Sequence, residues 1–233
     1  MQVPGINRLF DNTLLKPEAT WNDIIDFIDK SMEYKVRAVV VPWYAIPYAI
    51  ARIEQNGVEM GVVVGIDVPL GFSPIEKKLE EINYYLHLSK RITDFDIQLN
   101  ISAIKSKDWD FVEKELNTLS EVVKKENRTC KVILETSKLS DDEIKKVCEL
   151  ILHTPIDYIK TSSGFGSPPT TYHAVELIHN VVGDMKKIKV SGGVRTLEQV
   201  EKFLKLGASI FGSSSTISIL EEYRSLYGDF EDS

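Results

Sequence analysis

The chain has 233 residues with 28 basic and 35 acidic side chains, a formal net charge of -7 and a hydrophobic fraction of 43%. That is enough apolar material for one large α/β domain, and the acidic balance argues against a nucleic-acid surface. The apolar runs are too short to span a bilayer, and two cysteines make no disulfide framework.

The opening segment "MQVPGINRLFDNT" has no basic n-region and no apolar h-region, so no secretory signal is expected and the cytoplasm is the expected compartment. From there the chain alternates short apolar, β-branched runs with longer amphipathic ones. The first pair, "LFDNTLL" and "TWNDIIDFIDKSMEYK", is the weakest. "VRAVVVP" then precedes "YAIPYAIARIEQNG", and "GVVVGIDVPLG" precedes "SPIEKKLEEINYYLHLSK". "DFDIQLNIS" leads to "DWDFVEKELNTLSEVVKKEN", and "CKVILET" to "SDDEIKKVCELILHT". The last three pairs are "DYIKTSSG" with "TTYHAVELIHNVVG", "KIKVSGG" with "TLEQVEKFLKLG", and "SIFGSSS" with "ISILEEYRSLYG".

The longer segments carry the 3.6-residue apolar period. Thr20, Ser140 and Thr196 are their N-caps, with Asp23 and Glu143 three residues on from the first two. The short runs are continuous, as in parallel strands covered on both faces. Eight such units without a linker predict an α/β fold, a single (β/α)8 TIM barrel over residues 1–233. An open doubly wound sheet is the alternative, weakened because no G-x-G-x-x-G opens an early helix. Cys130 and Cys148 are expected in the core. The four histidines show no ligand spacing, so neither a metal nor a cofactor is expected.

Two strand ends carry a charge where apolar residues are the rule. Lys160 sits in "IDYIKTSSGFG" and Lys189 in "IKVSGGVRT", each just before Ser and Gly. An ammonium group in such a strand is costly unless it is paired or loses its proton. In a barrel both lie at the C-terminal mouth, where chemistry is carried out, on adjacent strands about 4.8 Å apart. Mutual repulsion and burial lower their pKa values, and a neutral lysine attacks carbonyls to form a Schiff base. On the fourth strand, Asp96, Gln98 and Asn100 face inward if Ile97 and Leu99 face the helices. Asp96 is then a counter-ion and proton relay, or one half of a structural ion pair. The loops "SGGVRT" and "FGSSST" expose backbone N–H groups at helix starts, a setting for phosphate. Arg195 either approaches that anion or closes a surface ion pair. Lys16 and Lys131 are read as solvated or paired, with phosphate able to recruit one of them. Trp21, Trp43 and Trp109 are read as packing residues.

At these residues the sequence resembles the deoxyribose-phosphate aldolase family, along nearly the whole chain. The matching segments are "DNTLLKP", "DVPLG", "DFDIQLNISAIKS", "KVILET", "DYIKTSSGFG" and "KVSGGVRT". The resemblance implies a class I aldolase without a metal that cleaves 2-deoxy-D-ribose 5-phosphate reversibly to acetaldehyde and D-glyceraldehyde 3-phosphate. It implies Lys160 as the Schiff-base residue, Lys189 as the lysine that lowers its pKa, and Asp96 as the proton relay. Asp11 and Thr13 match positions near the substrate hydroxyls. Gly164, Gly192, Gly193, Gly212, Ser214 and Ser215 match the segments around the phosphate. Small sugar phosphates and aldehydes are the expected partners, and a homodimer or tetramer the expected assembly. Asn12, Asp67, Gln98 and Ser102 depart from the family pattern. Asp67, if it pointed into the barrel mouth, would repel an anionic substrate, which leaves open a related Schiff-base aldolase with another aldehyde or sugar phosphate. A non-catalytic sugar-phosphate binder is the third reading.

Overall fold

A computed structural model describes residues 2–165 and 168–230. Eight parallel strands close in sequence order, with β8 pairing back onto β1. They are β1 (Phe10–Thr13), β2 (Ala38–Val40), β3 (Gly61–Ile66), β4 (Ile92–Gln98), β5 (Thr129–Ile133), β6 (Tyr158–Lys160), β7 (Lys187–Ser191) and β8 (Ala208–Ser213). Every expected βα unit is present, the weak first one included. The helices are α1 (Trp21–Glu33), α2 (Ile46–Asn56), α3 (Ile75–Leu88), α5 (Trp109–Lys125), α6 (Asp141–Leu152), α7 (Tyr172–Val182), α8 (Leu197–Lys205) and α9 (Thr216–Tyr227). One short helix, α4 (Ile101–Lys105), was not expected. Its N-cap is Asn100, whose side-chain oxygen accepts from the Ala103 N–H. Asn100 therefore caps a helix rather than facing the barrel interior.

Thr20, Ser140 and Thr196 each form a capping box, and Gln199 closes the third as Asp23 and Glu143 close the first two. Each such cap stabilises its helix by about 1 kcal/mol and fixes where the strand-to-helix loop ends.

The two faces of the barrel wall differ in chemistry. Outward residues such as Phe95, Ile97, Val132, Ile159, Ile188 and Val190 join the helices in one continuous apolar layer. Fully burying each contributes roughly 1.5–3 kcal/mol. Inside, Ala38, Val40 and Val63 form a small buried apolar cluster, with Leu15 packed on it. Much of the rest of the lumen is charged. The alternation that turns Phe95 and Ile97 outward turns Asp94 and Asp96 inward, and strand register sets Asp96 beside Lys131 and Lys160 beside Lys189. Barrel interiors are ordinarily filled with branched apolar residues. Cys130 and Cys148 lie fully buried, as expected, and burial pushes both thiols up to about 12. No helix among the described residues is long and apolar enough to cross a membrane.

Candidate active site

The charged lumen is organised around Asp96. One carboxylate oxygen accepts from Lys160 Nζ at 2.7 Å and from Lys189 Nζ at 2.7 Å. The other accepts from Lys131 Nζ at 3.1 Å. Lys189 also meets Asp11 Oδ2 at 2.5 Å, and Lys131 meets Asp94 Oδ1 at 2.5 Å. Below them Arg37 donates through Nε to Asp11 Oδ1 at 2.7 Å and through Nη2 to Asp94 Oδ1 at 3.0 Å. All three carboxylates are buried, so every charge must be met by another.

Burial opposes ionisation of Asp96, but Lys131, Lys160 and Lys189 outweigh it and hold its carboxyl well below the usual range. Asp11 and Asp94 are lowered in the same way: burial raises them, and Arg37 with Lys189 and Lys131 more than compensates. Lys160 goes the other way. Burial is the largest cause and pushes it down to about 8; Asp96 opposes, and repulsion from Lys189 and Lys131 adds to the fall. Of the two expected causes, dehydration of the amine thus outranks the lysine–lysine repulsion.

Lys160 is also the lysine that faces open space. A cavity of about 260 Å³ opens at the C-terminal mouth over Lys160, and a recess of about 20 Å³ lies on the other side of that residue. Trp43, Val63, Gly65 and Val68 wall the recess, and Asp96 reaches it. The large cavity runs from Thr13 across to the loops after β6, β7 and β8, and Gly164, Gly192, Gly193, Gly212 and Ser214 all line it. Gly192 and Gly193 have φ of +87° and +83°, and a Cβ on Gly193 would lie 2.6 Å from Pro169 Cβ. That turn therefore needs glycine, and it leaves backbone N–H groups free to face a ligand.

Two expected site residues lie elsewhere. Asp11 is fully buried under Lys189 and Arg37 and lines no part of the cavity. Ser215 precedes α9, its N–H donating to Ser213 Oγ at 2.9 Å, and Ser213 lines the cavity instead. Asp67 does not point into the mouth. It sits at φ 51°, accepts from the N–H and hydroxyl of Ser73, and lies 3.5 Å from the buried Lys78. Gln98 donates to the Ile133 carbonyl at 3.3 Å, packed close under Gly71. Lys16 and Arg195 both line the large cavity, whereas Lys131 is a paired core residue. Trp43 holds the recess wall through a bond from its indole N–H to the Gly65 carbonyl at 2.8 Å.

Sequence reasoning missed Arg37, Asp94, Ser191 and Glu135. Ser191 lines the cavity and ties its floor by donating to the Ser162 carbonyl at 2.6 Å. Glu135 has φ 55° and is buried; its carboxylate accepts from Ser162 Oγ at 2.9 Å and from the Ser163 N–H at 3.1 Å. It fixes the segment that follows Lys160. A glutamate held in left-handed backbone is a strained position, and the two bonds account for its retention there.

Known proteins resemble the chain along about 95% of its length. A deoxyribose-phosphate aldolase of Thermococcus kodakarensis is 36% identical over 221 residues, covering 95% of this chain and 98% of that protein. The chain belongs to the deoxyribose-phosphate aldolase family. It is therefore an aldolase, a carbon–carbon lyase. A solved structure described as QR15, an aldolase, superposes with a TM-score of 0.83 at 35% identity, covering 95% of this chain and 98% of that one. The deoxyribose phosphate aldolase of Aeropyrum pernix, described as a unique tetramer, gives 0.81 at 26% identity over 95% and 92% of the two chains. No family model matches the chain. Two of the departures from the family pattern are turned away from the lumen. Asn12 faces α1, its amide donating to Ser31 Oγ at 2.9 Å, and Ser102 lies in α4.

Proposed function

We propose that this aldolase cleaves 2-deoxy-D-ribose 5-phosphate reversibly to acetaldehyde and D-glyceraldehyde 3-phosphate through a Schiff base on Lys160. The observation that carries the reading is Lys160 itself: a buried amine brought down to about 8, held by Asp96 and facing the cavity. A free amine near neutral pH is the nucleophile that class I aldol chemistry needs.

Lys160 adds to the C1 aldehyde, and loss of water gives a protonated imine. The C3 hydroxyl then gives up its proton, the C2–C3 bond breaks, and its electron pair forms the C1–C2 double bond of an enamine. C3 leaves as the aldehyde of the three-carbon phosphate. Protonation of the enamine at C2 and hydrolysis release acetaldehyde and restore the amine. Asp96, which accepts from both Lys160 and Lys189, carries the protons together with Lys189. The glycine turns after β7 and β8, with Lys16 and Arg195 at the rim, meet the phosphate and set the reacting carbons against the amine. Neither Asp67 nor Gln98 lines the cavity, which removes the motive for a different substrate.

Lys160→Met is expected to lose at least about a thousandfold in cleavage rate while keeping the fold, as measured with a coupled aldehyde assay and circular dichroism. Substantial turnover by that variant would refute the assignment. Reduction of the wild type with acetaldehyde and cyanoborohydride should leave an ethyl group on Lys160 by peptide mapping. Self-association, suggested by the tetrameric relative, belongs to the same proposal; light scattering that returns one chain per particle would remove it.

A further inference from the structure

Arg37 lies at the opposite end of the barrel from the chemistry. It precedes β2, and with Asp94 it borders an opening of about 660 Å³ on the N-terminal face. Residues at that end of a barrel are ordinarily read as stabilising only. Here the contacts continue without a break to the mouth: Arg37 to Asp94, Asp94 to Lys131, Lys131 to Asp96, and Asp96 to Lys160. A second line runs from Arg37 through Asp11 and Lys189 to the same Asp96 oxygen.

The charges in this lumen do not balance. Arg37, Lys131, Lys160 and Lys189 face Asp11, Asp94 and Asp96. A guanidinium keeps its proton in proteins, so neutrality is reached when one of the three lysines gives its proton up. Lys131 touches Asp94 and Asp96, and Lys189 touches Asp11 and Asp96, whereas among the described residues Lys160 has the carboxylate of Asp96 alone. Lys160 is the member that loses least by becoming neutral. We propose that Arg37 is a positioning residue for catalysis, supplying the fixed positive charge that allows Lys160 to stand as a free amine.

The remaining strands add no charge to the lumen. β3 presents Val63 and Gly65, and β8 presents Ile210 and Gly212. On β6, Tyr158 lies beneath Lys131, its ring centroid 6.0 Å from Nζ; Lys187, at the start of β7, lies over that ring at 5.6 Å but is exposed, and water screens it. Arg8, Glu54, Glu59, Lys90 and Arg91 border the N-terminal opening, where water screens them. With Arg37 removed, three lysines face three carboxylates, and Lys160 is required as a cation.

The inference rests on the Schiff-base reading, and the test separates the two. The rate of ethyl addition to Lys160 from acetaldehyde and cyanoborohydride is followed by peptide mapping from about pH 6 to about pH 10, with Lys160→Met as blank. The wild-type rate should rise through a limb at about 8. Arg37→Gln should move that limb up by about one unit or more, roughly a tenfold lower rate at pH 7. Asp94→Asn, which enlarges the positive surplus, should move it down. Arg37→Gln with Asp94→Asn restores the surplus and should bring the limb back, and Arg37→Lys should leave it in place. If Arg37→Gln does not fold, Asp94→Asn against the double variant measures the same removal of Arg37. A limb that stays put in these comparisons, with only a uniform loss of rate, overturns the inference and leaves the Schiff base standing. No adduct on wild-type Lys160 at any pH overturns both.

Discussion

Lys160 and Lys189 donate to one oxygen of Asp96, yet they differ in what surrounds them. Lys189 has a second carboxylate at 2.5 Å and is closed off, whereas Lys160 has one partner and open space above it. The sign of the stability effect follows. The folded-state pKa of Lys160 lies near 8 against 10.5 for an unperturbed lysine. Between those values the unfolded chain holds the proton that the folded chain has released. Raising the pH from about 8 to about 10.5 therefore stabilises the fold, and below 8 the buried charge works against it. Lys160→Met removes that burden, so it is expected to be at least as stable as the wild type at pH 7, by up to about 3 kcal/mol, while losing its activity. Urea unfolding at pH 7 and pH 10 checks this: a midpoint well below wild type at pH 7 would contradict it. Lys160 and Lys189 were legible in the sequence because each is an ammonium group at the end of an apolar strand. Lys131 carries the same signal in "CKVIL", and of the two readings open to it, solvated or paired, the structure shows the pair. Its partner Asp94 was equally available, sharing the inward face of β4 with Asp96. Arg37 gave no signal, because its role depends on strand closure, which brings β1, β2 and β4 together beneath the lysines.

At the scale of elements, the mouth holds turns that require glycine and a position where glycine leaves space for the Lys189 side chain. Gly193 belongs to the first kind, with φ +83° and Pro169 close by. Gly212 belongs to the second: its φ is ordinary, but an added Cβ would lie 3.1 Å from Ser191 Cβ and 3.3 Å from Lys189 Cε. Gly193→Ala should distort the loop between β7 and α8 and weaken substrate binding, raising KM by about tenfold or more. Gly212→Ala should press on Lys189 and lower kcat by about tenfold, with a smaller effect on KM. Steady-state kinetics on both variants decides; the same KM-to-kcat split in each would show that the two glycines do not act separately. The positions of these turns were readable from "SGGVRT" and "FGSSST". The loop between β3 and α3 was not. Asp67 is drawn from the mouth by Ser73 and by Lys78, and Lys78 is itself held by Glu115 at 2.7 Å. Asp67, Ser73 and Lys78 are near in the chain, but Glu115, which holds Lys78, lies 37 residues beyond it, so no local pattern announces the cluster.

At the scale of the molecule, the eight βα units could be read directly, since apolar period and capping residues are local properties of the chain. What the lumen contains could be read only in part, because alternation gives the face of a residue but not the layer it meets on the next strand. The division of charge along the chain has a further consequence. β1 to β4, with Arg37, carry three carboxylates and a single guanidinium; β5 to β8 carry three buried lysines, with a fourth, Lys187, exposed at the start of β7, and no carboxylate. Cut between α5 and β5, the protein would give one half-barrel with an acidic inner face and one with a basic inner face. Neither half could close upon a copy of itself without placing like charges together in a dry interior. Each is the electrostatic counterpart of the other, so the residues that pair in the lumen also dictate which halves are allowed to meet.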